Sequence, residues 1–355
     1  MFINYNNKEH KQRTKVESQV EKWKNIRAWH TGGVLAVTDW VTVLPYLNWL
    51  KRKTCSSLTL EYMDGQRAQI EKDIHRGAFF MTNHRDIVLD SAWLSMLLRM
   101  RYNIRPYIGI GNNLFGKWWI EPFVRFNRSF VVIRNGNARE VLENAKTLSA
   151  YIRHLRQRGK SIWLAQREGR AKDGNDHTQG AVLKMLTLGS ENFLDAIYQL
   201  NICPVSLNYE YDPCDYLKAQ EMQLKRDNPA WKKSKQDDLL SMQTGIEGQK
   251  GKVVFRMTSS INHWIDAHRS ELEAMSRNEQ INAIAAEIDR HIFAGYERYA
   301  RGDQFDRYIE SRLQLIKIDG KDEGFLKERL YEMYDNPMKN QARLGINHSF
   351  PSCTK

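Results

Sequence analysis

Short apolar runs alternate with longer amphipathic stretches from residue 77 to residue 260, and this alternation constrains the fold most strongly. The apolar runs have the length of buried strands, and the amphipathic stretches have the length of helices. Such an alternation predicts an α/β domain in which a layered mixed sheet is flanked by helices. Strands are predicted at 77–83, 104–110, 129–134, 161–168, 202–212 and 252–260, and helices at 87–100, 113–126, 138–159 and 178–201.

The rest of the chain divides around this domain. We predict a basic, amphipathic, helical segment at 1–60, the α/β domain at 61–300, and a helical C-terminal extension at 301–355. Residues 213–250 are polar and charged, which favours a helical excursion on the surface between two strands. The polar residues from Asn336 onward are predicted to be loose.

The net charge of +12 is concentrated at the N-terminus. Residues 1–60 hold ten Lys or Arg and four Asp or Glu, a net of +6, so half of the excess lies in the first sixth of the chain. A basic segment of this kind attracts phosphates, either on nucleic acid or on an anionic bilayer.

The hydrophobic pattern beside this charge favours the bilayer. Residues 15–30 have an apolar helical face, and residues 32–50 are apolar and aromatic but interrupted by Asp39, Pro45 and Asn48. A spanning helix needs about 20 predominantly apolar residues, so we expect the segment to lie at a membrane interface without crossing it. The alternative is a pair of core helices in a soluble domain.

Cysteine usage and the N-terminus favour a reducing compartment. Four scattered cysteines are too few for a disulfide framework or a zinc site. The first fifteen residues lack the apolar core of a secretory signal. We expect a cytoplasmic protein without a metal.

The stretch TNHRDIVLDSAW, residues 82–93, resembles a kinase catalytic loop at first sight. A kinase needs Asn five positions after the Asp, but here that position is Ser91, and the chain has no DFG motif. A second partial match, GNNLFGKWW from Gly111, has the spacing of a phosphate loop, but Trp118 replaces the required Ser or Thr. A nucleotide hydrolase is therefore a minor alternative.

His84 is the best candidate for catalysis because it falls where a predicted buried strand gives way to a helix. Ligands of α/β sheets bind at that edge. An imidazole can accept the proton of an attacking hydroxyl when a carboxylate holds its other nitrogen, and Asp86 and Asp90 are the nearby acceptors. The alternative for Asp86 is an ordinary helix cap.

Four blocks, in order, resemble the motifs of the glycerolipid acyltransferases, the family of glycerol-3-phosphate and 1-acylglycerol-3-phosphate acyltransferases. The resemblance covers residues 75–260 and makes the predicted α/β domain an acyltransferase domain. The blocks are NHRDIVLD (83–90), NRSFVVIR (127–134), AQREGRAKDG (165–174) and ICPVSLNYEY (202–211).

The resemblance implies transfer of an acyl group from a thioester of coenzyme A or acyl carrier protein to a glycerolipid hydroxyl. It implies no stable acyl-enzyme, no metal and no further cofactor. His84 would be the general base, oriented by Asp90. Residues implied for substrate binding are Arg134 and Arg170 for phosphate, Arg85, Arg167 and Lys172 as added cations, Glu168 and Gly169 at the acceptor, and Pro204.

Two departures from the family pattern mark a divergent branch. The family separates its histidine and aspartate by four residues, whereas five separate His84 and Asp90. Either a local bulge restores the contact or Asp86 takes the role; we favour Asp90. The threonine that the family places between glycine and arginine is absent, so Arg170 follows Gly169 directly.

These features together predict an acyltransferase of phospholipid biosynthesis, peripheral on the cytoplasmic face of the membrane. Its expected partners are an anionic membrane surface, a thioester donor and a glycerolipid acceptor such as lysophosphatidate. The other alternative is a basic protein that binds nucleic acid or a membrane without catalysis. The sequence leaves the choice of thioester, the acyl length and the oligomeric state open.

Overall fold

The computed structural model of the protein describes residues 43–63, 65–111, 128–133 and 136–345. Its centre is a seven-stranded mixed sheet flanked by helices, which confirms the predicted fold class. The strands are β1 (Cys55–Tyr62), β2 (Phe79–Thr82), β3 (Tyr107–Gly111), β4 (Ser129–Val132), β5 (Ile162–Ala165), β6 (Ile202–Tyr209) and β7 (Gly251–Met257).

The spatial order of the strands is β1-β7-β6-β2-β5-β3-β4. Neighbouring strands are parallel except for the antiparallel pair β6–β7, so β1 and β7 run against the other five. The carboxyl ends of β2, β3, β5 and β6 therefore meet at one edge, which is also where β7 begins. Loops from several distant parts of the chain converge at this edge.

The sheet separates two apolar cores because successive side chains of a strand point to opposite faces. Phe79 and Met81 of β2 pack in one core, and Phe80 packs in the other. All four residues of β2 and all four of β5 are buried. Their short, uninterrupted apolar runs are typical of central strands that are covered on both faces.

Several of the described helices have clear local start or stop signals. Asn103 ends the helix after β2 in the left-handed conformation, at φ 57°. Three helices begin with a capping box, formed by Asn137–Glu140, Ser234–Asp237 and Ser276–Glu279. The described helices are α1 (Leu44–Thr54), α2 (Arg67–His75), α3 (Leu89–Tyr102), α4 (Ala138–Gln157), α5 (Gly180–Leu186), α6 (Phe193–Leu200), α7 (Asp215–Asp227), α8 (Lys235–Glu247), α9 (Asn262–Ala267), α10 (Arg269–Ala274), α11 (Arg277–Ala294), α12 (Gly302–Leu315) and α13 (Glu323–Arg343).

The prediction of one helical segment at 1–60 is wrong for its last part. Residues 55–62 form β1, which pairs with β7 from Cys55 opposite Gly251 to Tyr62 opposite Met257. Helix α1, directly before it, buries Leu44, Leu47 and Leu50. Residues 1–42, with most of the predicted amphipathic segment, lie outside the described residues.

Helix α1 nevertheless exposes two large aromatic side chains. Tyr46 and Trp49 are each 52% exposed, and their rings stack with centroids 5.8 Å apart. The basic run at 51–53 follows them in the same helix.

None of the described helices is long and apolar enough to span a membrane.

The C-terminal extension is helical, but it is not loose where the sequence suggested. Helix α13 continues past Asn336 to Arg343 and includes Pro337. Apolar residues of α12 and α13 form a third core with Ala219 of α7. Residues 346–355 lie outside the described residues.

Helix α13 also holds a loop at the carboxyl edge of the sheet. Asn336 Nδ2 donates to Asp173 O at 2.8 Å, and Asn340 Nδ2 donates to Asn175 Oδ1 at 3.0 Å. Between them Gly174 has φ +74°, and a β-carbon there would collide with the carbonyl oxygen of Met333. Only glycine fits this close approach.

Candidate active site

The loop that carries His84 is fixed by the residue before it. The side chain of Asn83 is fully buried and makes both strand-like hydrogen bonds to Leu207. Its Nδ2 donates to Leu207 O at 3.0 Å, and its Oδ1 accepts from Leu207 N at 2.8 Å. The end of β2 is therefore tied to β6 at the point where His84 leaves the sheet.

His84 and Asp90 are in direct contact. His84 Nδ1 lies 2.8 Å from Asp90 Oδ2, and the side chain of Asp90 is completely buried. An ionised carboxylate only accepts hydrogen bonds, so Nδ1 carries the proton and Nε2 is left as the acceptor. Asp90 lies in the first turn of α3, where the helix dipole favours a negative charge.

The backbone of the same loop also points at Asp90. Oδ2 accepts from Arg85 N at 2.7 Å and from Asp86 N at 3.0 Å, in addition to His84. Three N–H donors on one oxygen fix the position of the carboxylate.

Asp86 has a different role from Asp90. Its Oδ1 accepts from Val88 N at 2.8 Å and from Leu89 N at 2.7 Å, as a cap of α3. The turn around Asp86 brings Asp90 to His84 across the five residues between them. Burial, with Asp90 nearby, raises the pKa of the Asp86 carboxyl.

Asp176 is a further buried carboxylate at this loop. Its Oδ2 accepts from His84 N at 2.9 Å, and its Oδ1 lies 3.7 Å from Arg167 Nη1. Burial raises the pKa of Asp176. It holds the backbone of His84, and no local motif in the sequence distinguishes it.

A cavity of about 500 Å³ opens beside His84. One wall is apolar and includes Ile87, Ile110 and Trp163, the last in edge contact with the His84 ring at 6.2 Å between centroids. The other wall is charged. Its cationic side chains are Arg167, Arg170, Lys172, Lys218 and Lys233, and its acidic ones are Glu168, Asp173, Glu221 and Asp238.

The structure gathers most of the predicted binding residues at this cavity. Glu168, Gly169, Arg170 and Lys172 all line it. Arg85 and Pro204 are not among its lining residues. Pro204 lies inside β6, where its carbonyl accepts from Thr258. Arg134 lies outside the described residues.

Arg170 lies near two buried carboxylates, Asp86 and Asp212, as well as lining the cavity. It is partly buried and interacts electrostatically with Asp86 and Asp212. Among the described residues, its Nη1 and the Nε of Arg167 have no hydrogen-bond partner although both atoms are buried. A buried N–H without an acceptor costs free energy, so this loop is strained by two unsatisfied donors.

Helices α7 and α8 lie between β6 and β7 along the chain, which confirms the predicted helical excursion at 213–250. They also close one side of the cavity, so its placement purely on the surface is wrong. Lys218 is buried, bonded to Asp212 and to Arg85 O at 3.2 Å. Glu221 pairs with Lys172 across the cavity wall, and Lys233 pairs with Asp238 at 2.8 Å. The helical character of this segment was predicted from the sequence, but its contact with distant loops was not.

Gly245 of α8 packs directly on the Asp86 turn, and a β-carbon there would collide with Asp86 Oδ2. Gly245→Ala is therefore expected to lower the free energy of unfolding by about 1–3 kcal/mol, measured in denaturant. Gly324→Ala in α13 is the control. Its nearest atom would be 3.7 Å away, so no loss is expected. Equal unfolding free energies for Gly245→Ala and the wild type would show that α8 does not press on this turn.

The described cysteines Cys55, Cys203 and Cys214 are free thiols, and Cys353 lies outside the described residues. Within the described ranges, no group of three or more His, Cys, Asp or Glu side chains is placed to hold a metal ion.

Neither the models of known protein families nor the sequences of curated proteins give a match to this chain.

Proposed function

We propose that the protein is an acyltransferase that moves a fatty acyl group from a thioester to a hydroxyl of a phosphate-bearing lysolipid, with lysophosphatidate as the first candidate. One observation supports this most directly. His84 Nδ1 and Asp90 Oδ2 lie 2.8 Å apart, and His84 lines a cavity whose other residues are partly apolar and partly charged, with cations and acids of nearly equal number.

The proposed chemistry needs a base because a hydroxyl is a weak nucleophile at neutral pH. His84 Nε2 takes the hydroxyl proton as the oxygen attacks the thioester carbonyl carbon. The C–S bond then breaks, and the leaving thiolate recovers the proton from His84. Asp90 stabilises the imidazolium that exists between these two steps, as the acid of a triad does.

The two walls of the cavity suit the two parts of such an acceptor. The side chains of Arg167 and Arg170 line the cavity and supply donors for a phosphate, which guanidinium groups bind in a bidentate manner. Lys172 adds positive charge, although Glu221 partly neutralises it. The apolar wall at Ile87, Ile110 and Trp163 suits an acyl chain.

The resemblance to glycerolipid acyltransferases supports the same proposal. Under it, the sheet is the acyltransferase domain, and Glu168 and Gly169 shape the acceptor site. Arg134 joins Arg170 at the phosphate. The acyl donor is carried by coenzyme A or acyl carrier protein.

We also propose that the protein works on the cytoplasmic face of a membrane as a peripheral protein. The exposed Tyr46 and Trp49 and the basic run at 51–53 suit an anionic lipid surface. Sedimentation with anionic liposomes at low and moderate salt tests this. A protein that stays in the supernatant contradicts it.

A thioester-consumption assay tests the proposed reaction. Palmitoyl-CoA and palmitoyl-ACP are each offered with glycerol 3-phosphate, lysophosphatidate, other lysolipids and monoacylglycerol. We expect thiol release that requires an acceptor and is fastest with a phosphate-bearing lysolipid. No acceptor-dependent release with any pair contradicts the proposal. Salt-sensitive nucleic-acid binding, or magnesium-dependent ATP hydrolysis, without thioester consumption would favour the alternatives.

Arg170→Lys tests the phosphate contact while keeping the charge. Loss of the bidentate geometry is expected to raise KM for lysophosphatidate about tenfold or more. KM for monoacylglycerol, which has no phosphate, is the matched control and is expected to change little. An equal rise for both acceptors would show that Arg170 supports the fold and does not bind phosphate.

A further inference from the structure

Tyr209, the last residue of β6, reaches the second oxygen of Asp90. Its hydroxyl donates to Asp90 Oδ1 at 3.1 Å, and its ring lies 6.1 Å from that of Trp93. Burial, together with the nearby Asp90 and Asp86 carboxylates, raises the pKa of the Tyr209 phenol well above its usual range. Tyr209 is therefore a protonated donor at every pH at which the enzyme is expected to work.

The hydrogen bond from the Tyr209 hydroxyl is not required to fix the position of the Asp90 carboxylate. Asp90 Oδ2 is already held by His84 Nδ1 and by the main-chain N–H groups of Arg85 and Asp86. Within the described residues, Tyr209 is the hydrogen-bond donor found at Oδ1. A donor at Oδ1 instead draws negative charge away from the oxygen that faces the imidazole.

We propose that Tyr209 is a positioning residue that sets the proton affinity of His84 through Asp90. This rests on the proposed role of His84 as general base. Without the Tyr209 hydroxyl, Asp90 would hold an imidazolium more strongly. The protonated ring would persist to higher pH, so a smaller fraction of His84 would be in the neutral form that acts as a base.

Other charged groups also face this pair and are unchanged by the substitution at Tyr209. The loop itself contributes Arg85 and Asp86, and Asp176 lies beside His84. Arg170 and Lys250 interact electrostatically with Asp86. A shift caused by Tyr209→Phe therefore reports the lost hydroxyl.

The experiment compares full-length wild type with Tyr209→Phe by NMR titration of the His84 ring, with the resonance assigned by its loss in His84→Gln. We expect the pH at which the ring is half protonated to rise by about half to one unit in Tyr209→Phe. The acid limb of the kcat/KM profile should move by the same amount, with recovery of activity at higher pH.

Tyr334→Phe is the matched control. Its hydroxyl donates to another buried carboxylate, Asp215 Oδ2, at 2.9 Å, and it does not line the cavity. It should lose this hydrogen bond, and those that the hydroxyl makes with Asp212 N and Tyr308, without moving the His84 titration. An unchanged titration in Tyr209→Phe, or an equal shift in Tyr334→Phe, overturns the inference.

A second variant covers the case in which Tyr209→Phe does not fold. Site-specific difluorotyrosine at 209 keeps the shape and makes the hydroxyl a stronger donor, so the His84 titration should move to lower pH. No shift, or a shift to higher pH, contradicts the inference. The NMR titration does not require turnover, so an absence of acyl transfer would count against the proposed function alone.

Discussion

His84→Ala is expected to lower kcat/KM for acyl transfer by about 10²- to 10⁴-fold, the contribution typical of a positioned general base. The fold should survive because Asp90 keeps two main-chain donors and Tyr209 after the imidazole is removed. The measurements are steady-state kinetics with the best donor and acceptor, and thermal unfolding of both proteins.

His263→Ala is the control for removal of a histidine from a histidine–aspartate pair. His263 Nε2 lies 2.9 Å from Asp73 Oδ2, but the residue does not line the cavity. Its activity should stay near that of the wild type. Turnover near the wild-type rate in His84→Ala would remove His84 from the mechanism.

Asp90→Asn is expected to have the second large effect, again about 10²- to 10⁴-fold on kcat. The amide oxygen can still face the three N–H donors at Oδ2, and the Tyr209 hydroxyl can turn to accept from the amide nitrogen. Geometry is therefore retained while the charge that stabilises the His84 imidazolium is lost. The loss should appear in kcat and not in the unfolding temperature.

Asp86→Asn separates the two aspartates of the motif. Asn caps helices as well as Asp does, so the bonds from Val88 N and Leu89 N remain available. We expect a loss of activity below about tenfold, since the charge lost does not touch the imidazole. A larger loss for Asp86→Asn than for Asp90→Asn would contradict the assignment of Asp90 as the partner of His84.

The central part of the fold was predictable because it depends on local pattern. Uninterrupted apolar runs such as those of β2 and β5 can be recognised as strands from the sequence alone. Strand β1 was missed because its sequence, CSSLTLEY, is half polar and follows a basic helix. Its partner β7 is nearly 200 residues away, and a pairing of that separation leaves no mark in the local sequence.

The candidate site was also only partly predictable from the sequence. His84 and the two possible aspartates were visible as a motif, but the spacing alone left Asp86 and Asp90 open. The turn that decides the geometry depends on hydrogen bonds that a spacing does not specify. Asp176, Tyr209, Lys218 and Gly245 come from four other parts of the chain and were not predicted. The roles of Arg134 and the N-terminal segment remain predictions.

The contacts between α13 and the 173–175 loop have a consequence for biosynthesis. Chains leave the ribosome from the N-terminus at about 5–20 residues per second. The loop that carries Glu168 and Arg170 cannot receive its bonds from Asn336 and Asn340 until those residues have emerged. The sheet can therefore assemble while the chain is still growing, but the cavity wall is completed only after α13 has been translated.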